Sequence, residues 1–366
     1  MSDDFIAGLR SDLLEAAARE RARSPVGRLV RPLRPRAWSR PVLVGAVALA
    51  AAAVAFVAAV LALAPTRPAE PAQPQIAGTI DTRVEPRCVS YAAGRLWIAG
   101  TDGRIVAVEV GARRVGARFA LGAPPTALVA AEGELWARVE AHGRVPRDRV
   151  LRIDPSTGRT TARITVDRGF DRGFGLAVAG RSVWAPRGPA SPVAGIERID
   201  RDRAVVAGLV RSVSGVVGVA SSDGLLWATT SNAGLVEMDA ATGRLIARFG
   251  VTPLALTTMV AADRGLWLLY ATRSEILRFA GHRVVDRIAV GGRVLPLLAR
   301  TAGGLWTATT EAFSGGDLTR LVRIDPITHR VTGTVSLGRQ NVNTLVGAGR
   351  DLLAITDTGR VIVVHG

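Results

Sequence analysis

Val150-Leu-Arg-Ile-Asp-Pro-Ser-Thr-Gly158-Arg-Thr-Thr-Ala-Arg-Ile-Thr165 reads as two strands joined by a tight turn. Asp154 caps the turn, Pro155 presets φ, and Gly158 takes the left-handed position. The unit returns as Asp239-Ala-Ala-Thr-Gly243 before Arg244-Leu-Ile-Ala-Arg-Phe249, and as Asp325-Pro-Ile-Thr-His329 before Arg330-Val-Thr-Gly-Thr-Val335. Ahead of each unit stands a second phrase ending in an aromatic residue. Its copies are Gly94-Arg-Leu-Trp97, Gly133-Glu-Leu-Trp136, Gly180-Arg-Ser-Val-Trp184, Gly224-Leu-Leu-Trp227, Gly265-Leu-Trp267 and Gly304-Leu-Trp306. A seventh copy, Gly349-Arg-Asp-Leu-Leu353, carries leucine instead. Successive copies lie 39, 48, 43, 40, 39 and 47 residues apart. A period of that length with four short strands per unit predicts an all-β, seven-bladed propeller of four-stranded blades.

The ends of the repeat region predict how the ring closes. The last unit stops at Val361-Ile-Val-Val-His-Gly366, its third strand. Ile76-Ala-Gly-Thr-Ile-Asp-Thr82 matches the fourth-strand pattern and follows no blade of its own. Laid beside the C-terminal strands, it completes blade seven and removes an open sheet edge. The propeller is therefore expected over residues 75–366.

The residues before it read differently. Val42–Ala64 is a run of 23 apolar or glycine residues, about 35 Å as a helix, enough to span a bilayer core. Arg28, Arg31, Arg34, Arg36 and Arg40 crowd its N-terminal side. The positive-inside rule then predicts a single-pass anchor over 41–64, with residues 1–40 in the cytoplasm and the propeller outside the cytoplasm at the cell membrane. A cleaved leader would have a shorter apolar core, and Pro65 follows the Ala62-Leu-Ala64 sequence that resembles a cleavage site. Phe5, Leu9, Leu13 and Ala17 form one face of a short amphipathic helix within 1–23, a candidate surface for a cytoplasmic partner. Residues 65–74, Pro65-Thr-Arg-Pro-Ala-Glu-Pro-Ala-Gln-Pro74, read as an extended spacer.

The 366 residues carry 47 basic side chains, all arginine, against 31 acidic ones, a formal net charge of +16. Residues 65–366 hold 38 Arg and 26 acids, so the propeller is basic in its own right. Such a field favours anionic partners. Nucleic acid is not expected given the placement outside the cytoplasm. Cys88 is the one cysteine, in an apolar strand, so no intramolecular disulfide forms.

The repeat unit, followed by an apolar strand and Gly-x-Leu-Trp, resembles the YVTN/YncE-type seven-bladed propellers. It is also similar to the virginiamycin B lyase-like group. The resemblance covers residues 75–366 and implies the fold; it leaves activity open, because propellers host unrelated functions. The lyase-like alternative implies a divalent metal and an acid–base pair at the central channel. The four histidines, His142, His282, His329 and His365, show no metal-ligand spacing, so neither cofactor nor metal is expected. Quinoprotein propellers place a tryptophan shortly after the turn glycine, whereas Gly158 and Gly243 are followed by Arg-Thr-Thr-Ala and Arg-Leu-Ile-Ala. The tryptophans are assigned to packing between blades.

Function is expected in the loops. Three loops joining second to third strands are long, Glu140 to Asp148, Arg187 to Gly195 and Glu311 to Arg320, and all fall on one face. The blade-joining segments of that face carry Arg87, Arg168, Arg172, Arg211, Arg293 and Arg339. These six are the candidate ligand-binding residues, suited to a carboxylate or phosphate; the alternative is solvated loop charge. The expected role is a binding module for an anionic ligand, a wall polymer or a protein partner.

Overall fold

The computed structural model describes residues 73–140, 147–168, 175–188, 193–231, 234–250, 257–312 and 317–366. The anchor, the N-terminal amphipathic segment, most of the spacer, Arg172 and His142 lie outside them. Among the described residues no helix is long and apolar enough to cross a membrane.

The first strand, β1, covers Gln75–Asp81. Blade one is β2 (Pro86–Ala92), β3 (Arg95–Gly100), β4 (Arg104–Glu109) and β5 (Arg114–Ala120). Blade two is β6 (Pro125–Ala131), β7 (Glu134–Glu140), β8 (Arg147–Ile153) and β9 (Thr160–Asp167). Blade three is β10 (Ala177–Ala179), β11 (Ser182–Pro186), β12 (Ile196–Asp200) and β13 (Val205–Val210). Blade four is β14 (Val216–Ser222), β15 (Leu225–Thr230), β16 (Gly234–Asp239) and β17 (Leu245–Phe249). Blade five is β18 (Thr257–Ala262), β19 (Gly265–Tyr270), β20 (Glu275–Ala280) and β21 (Arg283–Ala289). Blade six is β22 (Arg293–Thr301), β23 (Gly304–Glu311), β24 (Leu318–Ile324) and β25 (Val331–Gly338). Blade seven is β26 (Val342–Ala348), β27 (Asp351–Thr356), β28 (Arg360–His365) and, from the other end of the chain, β1.

Every sheet is antiparallel, with its four strands in chain order outward; in the seventh the order is β26, β27, β28, β1. β1 pairs with β28 from Gln75↔His365 to Asp81↔Arg360, and Thr82 Oγ1 donates to the Gly359 carbonyl at 2.6 Å. The first strands form the inner ring. β2 packs on β6, β6 on β10, and so on to β26, which packs on β2. The loops therefore sort onto two faces. The turns from first to second and from third to fourth strands form the turn face. The loops from second to third strands and the blade junctions form the loop face. The segment Glu311 to Arg320 is shorter than its sequence suggests, because β24 begins at Leu318 and Arg320 is inside the strand.

Among the described residues the buried apolar side chains fall into seven clusters, one for each seam between blades. Trp97 of blade one packs with Leu135, Ala137 and Leu151 of blade two. Trp136 meets Val183 and Ala185, Trp184 meets Leu226 and Ala228, and Trp227 meets Leu266 and Leu268. Trp267 meets Leu305 and Val322, and Trp306 meets Leu352 and Ala354. At the last seam Leu353 packs with Leu96 and Ile98. A wide flat side chain fills the wedge between two sheets splayed by rotation about a common axis, and burying one stabilises the seam by roughly 2–3 kcal/mol.

Candidate functional site

Sequence and topology place Arg87, Arg168, Arg211, Arg293 and Arg339 on the loop face. Each stands at or beside a blade junction: seven to one, two to three, three to four, five to six, and six to seven. The structure differentiates them. Arg87 Nη2 donates to Glu140 Oε1 at 3.0 Å, with both side chains about one-quarter exposed. Arg293 Nη1 faces Asp317 Oδ2 at 3.6 Å. The carbonyl of Arg168 accepts from the Gly188 N–H at 2.6 Å, tying the junction to the next blade. Arg211 and Arg339 are exposed. Of the six arginines, Arg87 is thus held by a carboxylate in a part-buried pair, while Arg211, Arg293 and Arg339 extend into solvent.

The loop face also holds a buried ionic network at the seam of blades two and three. Arg138, on β7, is 1% exposed and its Nε donates to Asp148 Oδ2 at 2.8 Å. Its remaining nitrogens donate to the carbonyls of Pro186, at 2.7 Å, and Asp167. Burial pulls the guanidinium below its ordinary value, while Asp148 pulls it back up; it remains a cation. Beside it Arg187 bridges Asp167, at 3.0 Å, and Glu197, at 3.0 Å. Glu197 Oε2 accepts from the Asp167 N–H at 3.1 Å. Burial raises the Glu197 carboxyl, against the donors of Arg187. These five side chains flank the ends of the loops after β7, β9 and β11. One buried assembly therefore roots two long loops and the junction between them.

Sequence reading named Asp148 and Arg187 only as ends of long loops and assigned no role to Arg138, Asp167 and Glu197. A signal was present. Arg138 interrupts the apolar run Leu135-Trp-Ala-Arg-Val139, and Asp148 stands between two arginines, Arg147-Asp-Arg149, on the strand across the long loop. Two opposite charges so placed on neighbouring antiparallel strands are close enough to pair.

The inner ring has another character. β2, β6, β10, β14, β18, β22 and β26 are built from apolar residues with Gly, Pro, Ser, Thr and Asn, and their charged members are Arg87, Arg293 and Arg300. Cys88 on β2 is 6% exposed, its Sγ lies 3.8 Å from the Pro125 carbonyl, and burial pushes the thiol up to about 12. A thiol of that kind is not a nucleophile at neutral pH. His282, His329 and His365 sit on the turn face, and each ring meets a carboxylate: Glu237 at 3.0 Å, Asp286 at 2.8 Å and Asp351 at 2.7 Å. Among the described residues no group of three His, Cys, Asp or Glu side chains is arranged to hold a metal ion.

No protein-family model matches the chain, and no curated protein matches it. Solved structures do. The β-propeller domain of Cps50 (Swd1) from Myceliophteria thermophila superimposes with a TM-score of 0.62 at 15% identity, over 80% of this chain and 99% of that one. The computationally designed Ika8 protein superimposes with a TM-score of 0.55 at 11% identity, over 78% of this chain and 98% of that one. At these identities the likeness speaks for architecture alone: the chain carries a seven-bladed β-propeller of four-stranded antiparallel blades.

Proposed function

We propose that the chain is a membrane-anchored propeller displayed outside the cytoplasm, and that its loop face binds an anionic ligand. The ligand class is a carboxylate- or phosphate-bearing polymer, or the acidic surface of a protein partner. The repeat unit associates it with the YVTN/YncE-type propellers. The apolar run over 41–64 with its arginine-rich N-terminal flank supports anchoring. The observation that carries the binding reading is the division among the loop-face arginines. Arg87 is held by Glu140 in a part-buried pair, whereas Arg211, Arg339 and Arg293, the last 3.6 Å from Asp317, reach solvent on the face that carries the loops from second to third strands. A rigid ring that presents exposed guanidinium groups beside loops rooted in a buried network is suited to recognition. The lyase-like alternative requires a general acid and base at the channel, and the inner strands supply arginine as their charged side chain.

Polyphosphate and poly-glutamate serve as probes for phosphate and carboxylate. Both are expected to bind the wild type by titration calorimetry. The double variant Arg211→Glu, Arg339→Glu is expected to lose about tenfold in affinity at unchanged melting temperature, two charge reversals each worth about 0.7 kcal/mol at exposed sites. A double variant that binds both probes as tightly as the wild type would reject the arginine assignment.

A further inference from the structure

On the turn face, the seam between blades three and four opens into a groove of about 670 Å³. Its charged lining is Glu132, Asp200, Asp223, Asp239, Arg181 and Arg198. Both arginines are engaged, Arg181 with Asp202 and Arg198 with the Ala241 carbonyl at 2.9 Å. Glu132 is engaged by Arg201. The three aspartates each commit one oxygen to a turn. Asp200 Oδ1 accepts from the N–H groups of Asp202 and Arg203, Asp239 Oδ1 from Thr242, and Asp223 Oδ2 from Ser222 and the Arg264 N–H. Those hydrogen bonds hold all three carboxyls below their ordinary values. Four carboxylates thus line the groove against two guanidinium groups, in a protein whose net charge is +16.

The outer end of this groove meets an unusual strand. Ala207 of β13 lines it. β13 reads Val205-Val-Ala-Gly-Leu-Val210, with no polar side chain, and Val205 and Val206 are 49% and 40% exposed. It is the outermost strand of its sheet, so one edge has no partner strand there. The other six outer strands carry charged or hydroxyl side chains: Thr79 and Asp81 on β1, Arg114 and Arg118 on β5, Arg163 on β9, Arg248 on β17, Arg283 and Arg287 on β21, and Thr334 and Ser336 on β25. An uncharged, apolar edge accepts a further strand, and charged edges repel one.

We infer that β13 and the adjoining groove form a docking site for an extended basic peptide segment of a partner protein. The segment's backbone adds a fifth strand to blade three, and one of its Arg or Lys side chains enters the groove among Asp200, Asp223 and Asp239. A second copy of this chain fits less well. Pairing β13 with itself joins only one six-residue strand pair, far below the roughly 1,200 Å² of a stable interface. It would also bring two basic rings together. The site lies on the face opposite the exposed arginines and stands independently of their ligand.

The test uses the full-length chain and two fluorescent heptapeptides, Thr-Val-Arg-Val-Arg-Val-Thr and its Glu-for-Arg counterpart, followed by anisotropy. Saturable binding of the Arg peptide alone is expected. Asp223→Asn with Asp239→Asn should weaken it about tenfold, and Val206→Lys should abolish it, each with an unchanged melting curve. The inference is overturned if neither peptide binds, if both bind alike, or if the Arg peptide binds either variant as it binds the wild type. A dimer in sedimentation that Val206→Lys dissolves would overturn it too, by giving the edge to a second copy.

Discussion

At the scale of single residues, the repeat is a record of what each position touches. In strand three, the residue registered opposite the tryptophan is Arg152 in blade two, Arg278 in blade five and Arg323 in blade six, and each guanidinium lies over its indole at 5.8, 5.2 and 5.9 Å. Blade four puts Glu237 there, 1% exposed, and His282 of blade five reaches back to it. The left-handed position of the Asp-x-x-Thr turn follows the same logic. Gly158 lies against Phe119 of blade one, and Gly243 against Val210 and Trp184 of blade three. In blade six the position is His329, at φ 58°, and the preceding blade offers Asp286, whose carboxylate meets the His329 ring at 2.8 Å. The turn thus takes glycine where its neighbour is bulky and histidine where its neighbour is a carboxylate. Gly158→Ala combines two penalties, since a Cβ would sit 2.6 Å from the Phe119 ring and φ is +72°. It should lower stability by about 2–4 kcal/mol, read from the urea midpoint. Gly94→Ala is the control: φ is +78° but nothing lies within 4 Å, so about 1 kcal/mol is expected. Equal losses at both positions would mean that the contact with Phe119 contributes nothing.

At the scale of strands, seam packing repeats and seam polarity does not. The apolar clusters follow from alternation along β3, β7 and their equivalents, so the strands and their buried faces were legible in the sequence. The network around Arg138 was not. Alternation treats an Arg amid Ala and Val as a solvent-facing residue. Its burial is decided by a carbonyl 29 positions away at Asp167 and another 48 away at Pro186. Only the arrangement of neighbouring blades brings those groups together. The candidate arginines show the converse limit: topology placed them on one face, but whether Arg87 finds Glu140 depends on contact between blades. The network makes a quantitative prediction. Arg138→Met leaves Asp148, about 5% exposed, without its main partner and should cost roughly 3–5 kcal/mol. Asp148→Leu should cost a similar amount. The double variant removes both charges and should recover at least about 1 kcal/mol relative to the sum of the singles. Additive losses in denaturant melts would show that the two side chains contribute separately.

At the scale of the molecule, stability depends on joining the two ends of the propeller. Every other blade is continuous in sequence, so its strands pair through local hairpins; blade seven alone joins residues nearly three hundred positions apart. The sequence disclosed this through a missing fourth strand at one end and a surplus one at the other. It could not disclose which residues lock the joint. These include Ile80, 5% exposed in the cluster shared with Leu353 and Ile355, and Thr82, fully buried on the Gly359 carbonyl. Gly359 belongs to the same lock, because a Cβ there would fall 1.9 Å from the Val84 carbonyl oxygen. Deleting residues 75–83 strips β28 of its outer partner and removes Ile80 from the core. The expected cost is several kcal/mol, a fall in melting temperature of roughly 10 °C or more for a domain of this size. General damage from deletion would give the same reading, so the decisive measurement adds the missing strand back. A synthetic peptide of residues 73–84 should raise the melting temperature of the deleted protein in a saturable, concentration-dependent manner, as expected of a ligand that binds only the folded form. The same peptide should leave the intact chain unchanged, because β1 already occupies the edge of β28. A deleted protein that melts like its parent, or that ignores the peptide, would mean that the ring holds without its N-terminal strand.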